Sequence, residues 1–197
     1  MTTLEIGLID RVLHGDVEAF HDLVETYKNP VYHLCYRMLG NAEDAEDATQ
    51  ETFWKAYKAI HKFDLERSFA TWLLSIAAHH CIDQMRKRYV SSFSLELLPE
   101  GSASDDSPSP EDEVARSETG RQVQELLNEL KPEDRAVIIL RYWYEMSEQE
   151  ISDALSMTVS AVKSRLHRAR RSMARAWVTR QPAINQAGGF QREAPTF

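Results

Sequence analysis

The sequence predicts an all-α protein, two small helical domains joined by a flexible acidic linker. Three observations predict it. Apolar residues recur at helical spacing along most of the chain, and no alternating strand pattern of useful length appears. The periodic stretches begin at cap-forming residues and stop at Gly or Pro. Between them, over 91–117, Ser, Asp, Glu, Pro and Gly replace the apolar residues, as in an extended, self-repelling segment. A chain of 197 residues has room for one or two small domains.

The first domain is expected over residues 1–90. Asp16 caps a helix whose Phe20, Leu23, Val24 and Tyr27 share a face. Asn29-Pro30 is expected to end it and open the next helix, with Val31, Leu34, Cys35 and Met38 inward until Gly40. Asn41 starts a long helix to about Ile60, burying Ala45, Ala48, Thr52, Phe53 and Ala56. Ser68 caps a fourth helix running to about Arg88, with Phe69, Trp72, Leu73 and Ile76 as its apolar stripe. The second domain is expected over 118–178, and 179–197, with Pro182, Gly188-Gly189 and Pro195, reads as a disordered tail.

Within the second domain, Pro132 opens a helix that supplies apolar residues through Tyr142. Ser147-Glu-Gln-Glu150 is a capping box for a short helix with Ile151, Ala154 and Leu155 inward. Ser156-Met157 makes a tight connection, and Thr158 or Ser160 caps the last helix. On that helix Val159, Val162, Leu166, Ala169 and Met173 form a narrow apolar face. Ser160, Lys163, Ser164, His167, Arg168 and Arg171 lie opposite, with Arg165 and Arg170 to the sides. From Thr158 to Arg180 there are seven Lys/Arg and no Asp or Glu, in a protein of net charge −8. A charge run alone reads as a solvated helix face. Two short helices, a turn and a basic second helix read instead as a major-groove reader.

Charge is unevenly spread. Residues 96–120 carry eight acidic residues and one basic, whereas 121–197 carry twelve basic and nine acidic. Only the second domain favours phosphate, so free binding to duplex DNA should be weak until something separates the two domains. On the helix from Asn41, Asp44, Asp47, Glu51 and Lys55 form one exposed stripe, and Glu46, Gln50 and Trp54 the next. Favourable placement near a helix N-terminus explains Glu43 and Asp44. It does not explain Glu51 or an exposed Trp54, which suit docking of a basic protein surface. Arg86-Lys87-Arg88, with Phe63, Phe69 and Trp72 nearby in the sequence, suit single-stranded DNA, although Phe69 and Trp72 also read as core.

Several classes find no support. No run of about 18 apolar residues exists to span a membrane, and the N-terminus lacks the pattern of a secretory signal. Cys35 and Cys81 read as buried free thiols of a reducing cytoplasm. His79-His80-Cys81 does not converge on a metal, because adjacent helical residues point about 100° apart. There is no Gly-rich phosphate loop, zinc spacing or nucleophile–base pair, so neither an enzyme nor a cofactor is expected.

In order, Asp44-Ala-Glu-Asp-Ala-Thr-Gln-Glu-Thr-Phe53, Phe69-Ala-Thr-Trp-Leu-Leu-Ser-Ile-Ala77, Cys81-Ile-Asp83, Glu150-Ile-Ser-Asp-Ala-Leu155 and Val162-Lys-Ser-Arg-Leu-His-Arg-Ala-Arg170 resemble the extracytoplasmic-function (ECF) group of sigma-70 RNA polymerase sigma factors. The resemblance covers about Ala19 to Ala176. It implies a region 2 and a region 4, and a chain that binds core polymerase, melts the −10 element and reads the −35 element. Asp47, Gln50 and Glu51 fall where the family binds the β′ clamp helices, with Trp54 beside them. Residues 62–68, including Phe63, Asp64, Arg67 and Ser68, match the loop that captures a flipped −10 base. His79 stands where the family usually has Asn near the melted strand, and Arg86, Lys87 and Arg88 extend that surface. Lys163, Ser164, His167 and Arg168 match positions meeting the −35 element, flanked by Ser160, Arg165 and Arg171. The resemblance further implies contact of region 4 with the β flap, an acidic linker in the RNA exit path, and an anti-sigma partner. The competing reading is a two-domain helix-turn-helix regulator that needs no polymerase docking.

Overall fold

The computed structural model describes residues 3–94 and 118–187, and these form eight α-helices and no strand. The first four are α1 (Thr3–Leu13), α2 (Val17–Leu39), α3 (Ala42–Ala59) and α4 (Phe69–Ser94), with a single 3₁₀ turn at Ile60–Lys62. Then follow α5 (Glu118–Asn128), α6 (Pro132–Tyr142), α7 (Glu148–Ala154) and α8 (Val159–Ala187). The rest of the expected acidic linker, from residue 95 to 117, and the last part of the expected tail, 188–197, lie outside the described residues.

Helix α2 is the spine of the first domain, with α1, α3 and α4 packed around it. Its start follows the sequence: the Asp16 carboxylate accepts from the Ala19 N–H. Its end is Gly40 at φ 84°, whose N–H donates to the Tyr36 carbonyl, a left-handed cap that glycine adopts without Cβ strain. Asn41 caps α3 by accepting from the Asp44 N–H at 2.8 Å, and Ala45, Ala48, Thr52, Phe53 and Ala56 are all buried, as the periodicity requires. Ser68 caps α4 through the Thr71 N–H at 3.3 Å.

Three boundaries differ from expectation. Asn29-Pro30 does not break the chain, and α2 runs unbroken through Pro30. The buried stripe Leu23, Val31, Leu34, Met38 continues across it, and this packing outweighs the roughly 3 kcal/mol that an interior proline costs. Helix α4 extends to Ser94, past the boundary placed at 90. Helix α8 extends to Ala187, so residues 179–187 are helix rather than loose tail. Arg180 explains it, reaching Glu125 at 3.1 Å and Glu129 at 2.9 Å on α5. The sequence reading also missed α1, whose Ile9 and Val12 are buried.

The second domain, α5–α8, packs directly on the first. Helix α6 contacts both α2 and α4, α7 contacts α4, and α5 contacts α2. One cluster of buried side chains runs through both domains. Polar contacts complete the seam. The Arg135 guanidinium donates to the Met38 carbonyl at 2.6 Å, Gln124 donates to the Arg37 carbonyl at 3.1 Å, and the Tyr144 hydroxyl donates to the Pro30 carbonyl at 2.5 Å. Gly40 lies on this seam: a Cβ there would stand 3.3 Å from the Asn128 Oδ1.

Candidate nucleic-acid interface

The α7–turn–α8 unit is built from local chemistry. The Ser147 hydroxyl accepts from the Glu150 N–H at 3.2 Å and the Glu150 carboxylate accepts from the Ser147 N–H at 2.8 Å, closing the capping box. The Ser147 hydroxyl, which also donates to the Glu150 carboxylate at 2.7 Å, and then the Ser147 N–H hold that carboxyl below its ordinary range. Ser156 makes the turn at φ 52°, and the Thr158 hydroxyl accepts from the Ala161 N–H at 3.1 Å. Val162, Leu166 and Ala169 are buried, which fixes the rotation of α8. Ser160, Lys163, Ser164, His167, Arg168 and Arg171 consequently stand exposed on its outer side. Arg165 differs: its side chain is only 26% exposed and its Nη1 lies 2.7 Å from Asp134 Oδ1. Arg168 approaches the same carboxylate at 3.7 Å, and Lys163 lies 3.5 Å from Glu148.

On α3, Asp47, Gln50 and Trp54 are exposed, Trp54 at 53%, with the Lys58 ammonium 4.2 Å from the indole centre. Glu51 is half-buried and lies 3.7 Å from Lys55, whose Nζ is 2.7 Å from His80 Nδ1. The lysine donates, so His80 Nδ1 is unprotonated. Burial, then the Lys55 charge, lowers the His80 pKa from its ordinary 6.5. The unfolded chain then binds the extra proton first. Stability from this group is complete above pH 6.5 and is lost as pH falls through the depressed folded value. The melting temperature should fall between pH 7.5 and 5.5 by more in the wild type than in His80→Gln; equal slopes would refute this role.

The loop before α4 rests on an aromatic nest. Phe63, Phe69 and Trp72 lie with ring centres 5.0–5.6 Å apart, and Phe69 is buried, as one of the two readings of these rings required. Asp64 accepts from the Glu66 N–H at 3.0 Å, and Asp64, Arg67 and Ser68 are exposed. A cleft of about 170 Å³ opens beside them, lined by Arg67, Ser68, Thr71, Trp72 and Ser75 on one side and by Glu150 and Asp153 of α7 on the other. His79 is exposed, with Nδ1 2.8 Å from the Ser75 carbonyl of its own helix. At 1.5 Å rise per residue, Arg86 lies about 27 Å along α4 from Ser68, so Arg86–Arg88 do not share the loop's patch. Arg86 binds Glu133 and Arg88 binds Asp44.

Sequence reasoning missed Glu133, Asp134, Arg135 and Tyr144 as polar partners; their contacts span 31 to 114 residues of chain. The two thiols are buried and hydrogen-bonded to each other. That bond and burial push the Cys81 thiol up, away from reactivity. No helix among the described residues is long and apolar enough to cross a membrane.

These surfaces belong to a bipartite helical DNA-binding protein: one domain with a helix whose outer face is basic, one with an exposed stripe of acidic residues and Trp54 and an aromatic-backed loop. Sigma-70 region 2 matches residues 23–89 and Sigma-70 region 4 matches residues 120–173. The ECF RNA polymerase sigma factor SigW of Bacillus subtilis (strain 168) is 39% identical over 173 residues, covering 84% of this chain and 92% of its own. The RNA polymerase sigma-H factor of Pseudomonas aeruginosa is 31% identical over 187 residues, covering 91% and 95%. Among solved structures, CnrH in complex with the cytosolic domain of CnrY superposes with a TM-score of 0.65 at 25% identity, covering 90% of this chain and 99% of that one. The chain belongs to the ECF group of sigma-70 family RNA polymerase sigma factors. It is a transcription initiation factor that binds core RNA polymerase and promoter DNA.

Proposed function

We propose that the two domains divide promoter recognition along the surfaces described above. Residues 1–90 act as region 2, docking the β′ clamp helices through Asp47, Gln50, Glu51 and Trp54. Phe63, Asp64, Arg67 and Ser68 hold a flipped −10 base, and His79, Arg86, Lys87 and Arg88 follow the melted strand. Residues 118–178 act as region 4, reading the −35 element through Ser160, Lys163, Ser164, His167, Arg168 and Arg171 and meeting the β flap. Arg165 contributes there through its hold on Asp134. The acidic segment 91–117 stands in for nascent RNA phosphates. The protein works in the cytoplasm under control of an anti-sigma protein. The observation that carries this reading is the buried stripe Val162, Leu166, Ala169, which leaves Lys163, Ser164, His167 and Arg168 facing solvent.

Run-off transcription of genomic DNA with core polymerase and this protein tests the whole reading. Joint replacement of Asp47, Gln50 and Glu51 by alanine should weaken core binding by about thirtyfold or more if these are interface hot spots. Unchanged binding by a variant with native helical content would place the docking surface on other residues.

A further inference from the structure

Glu133, on the first turn of α6, faces two arginines from different domains. Its Oε1 accepts from Arg86 Nε at 3.0 Å and also from Arg86 Nη2. Its Oε2 lies 3.8 Å from Arg165 Nη1. Only 17% of its side chain is exposed, so solvent screens the group little. A carboxylate with one oxygen toward each guanidinium presents what a DNA phosphate would present to the same pair. At the opposite end of α4, α7 sets Glu150 and Asp153 across the cleft from Arg67 and Ser68.

We propose that Glu133 is an intramolecular phosphate mimic that latches region 4 onto region 2, keeping Arg86 from DNA until the domains part. This rests on the division of roles proposed above. The latch is self-limiting. Arg135 is 5% exposed and leans on the Met38 carbonyl at the end of α2, with Nε unsatisfied and no carboxylate paired to it among the described residues. The negative end of the α2 dipole supports that charge only in part, and opening returns the guanidinium to water. A surface that draws the domains apart therefore works against a closed state with a built-in cost. DNA alone must compete with a carboxylate already in place, and each arginine so neutralised is lost to the phosphate count that sets affinity.

The test uses the full chain, small-angle scattering, and fluorescence anisotropy with a mixed-sequence DNA duplex at low salt. Glu133→Gln should expand the molecule and raise duplex affinity by about tenfold, the equivalent of one charged hydrogen bond. Glu118→Gln, the same charge change at an exposed site on α5, should do neither. Tyr144→Phe removes the bond to the Pro30 carbonyl without changing charge, and should shift both readouts in the direction of Glu133→Gln. The proposal is overturned if Glu133→Gln gains no more affinity than Glu118→Gln. It is equally overturned if neither Glu133→Gln nor Tyr144→Phe expands the molecule. Run-off transcription with core polymerase separates the two ideas. Transcription by wild type and variants alongside unchanged scattering removes the latch and leaves the sigma reading intact. No transcription by any of them removes the proposed division of roles, while scattering still decides the latch.

Discussion

Phe69→Ala should cost region 2 about 3–5 kcal/mol, the range for deleting a buried aromatic side chain. The side chain is 1% exposed and contacts the rings of Tyr27 on α2, Phe63 in the loop and Trp72 on its own helix, at 5.4, 5.5 and 5.6 Å. Small domains are stable by only about 5–15 kcal/mol, so this one change consumes much of the margin. It should also act on function, because Phe63 anchors the loop carrying Asp64, Arg67 and Ser68. Urea unfolding followed by far-ultraviolet circular dichroism gives the loss directly. A cost below about 1 kcal/mol would mean that the nest is not what holds the loop, since typical buried aromatic deletions exceed that severalfold.

Lys163→Ala and Arg168→Ala should each weaken binding to the −35 element by about 1–3 kcal/mol where base edges are read. Both side chains are exposed on a helix whose rotation is fixed by the burial of Val162, Leu166 and Ala169. Anisotropy on a panel of single-base variants of the element, at several salt concentrations, distinguishes two modes. Base reading loses discrimination at one position. Phosphate contact lowers affinity uniformly and flattens the salt slope by about one unit per lost contact. Arg165→Ala should behave differently, losing domain stability before specificity, because its guanidinium is committed to Asp134 at 2.7 Å.

What could be read in the sequence was local and periodic. The 3.6-residue spacing picked out the faces of α3 and α8, and Asp16, Asn41, Ser68, Ser147 and Thr158 announced their helices because cap chemistry is settled within four residues. Pro30 misled for the same reason. A local rule predicts a break, while the Leu23–Met38 stripe that overrides it is decided by packing against other helices. Arg180 looked like part of a tail because its partners Glu125 and Glu129 lie more than fifty residues back. Among the candidate site residues, solvent-facing positions on α8 were legible from the wheel. The engagement of Arg86 by Glu133 was not, since no periodicity links residues 47 apart.

Gly40 answers to two authorities at once. Its left-handed backbone lets α2 stop where α3 must begin, and its bare Cα lets Asn128 of the other domain come to lie against it. Any side chain there would be judged twice, by the helix it terminates and by the neighbour it would push away. The position thus ties the shape of a single turn to the fit between the two halves of the molecule, and neither can drift without the other.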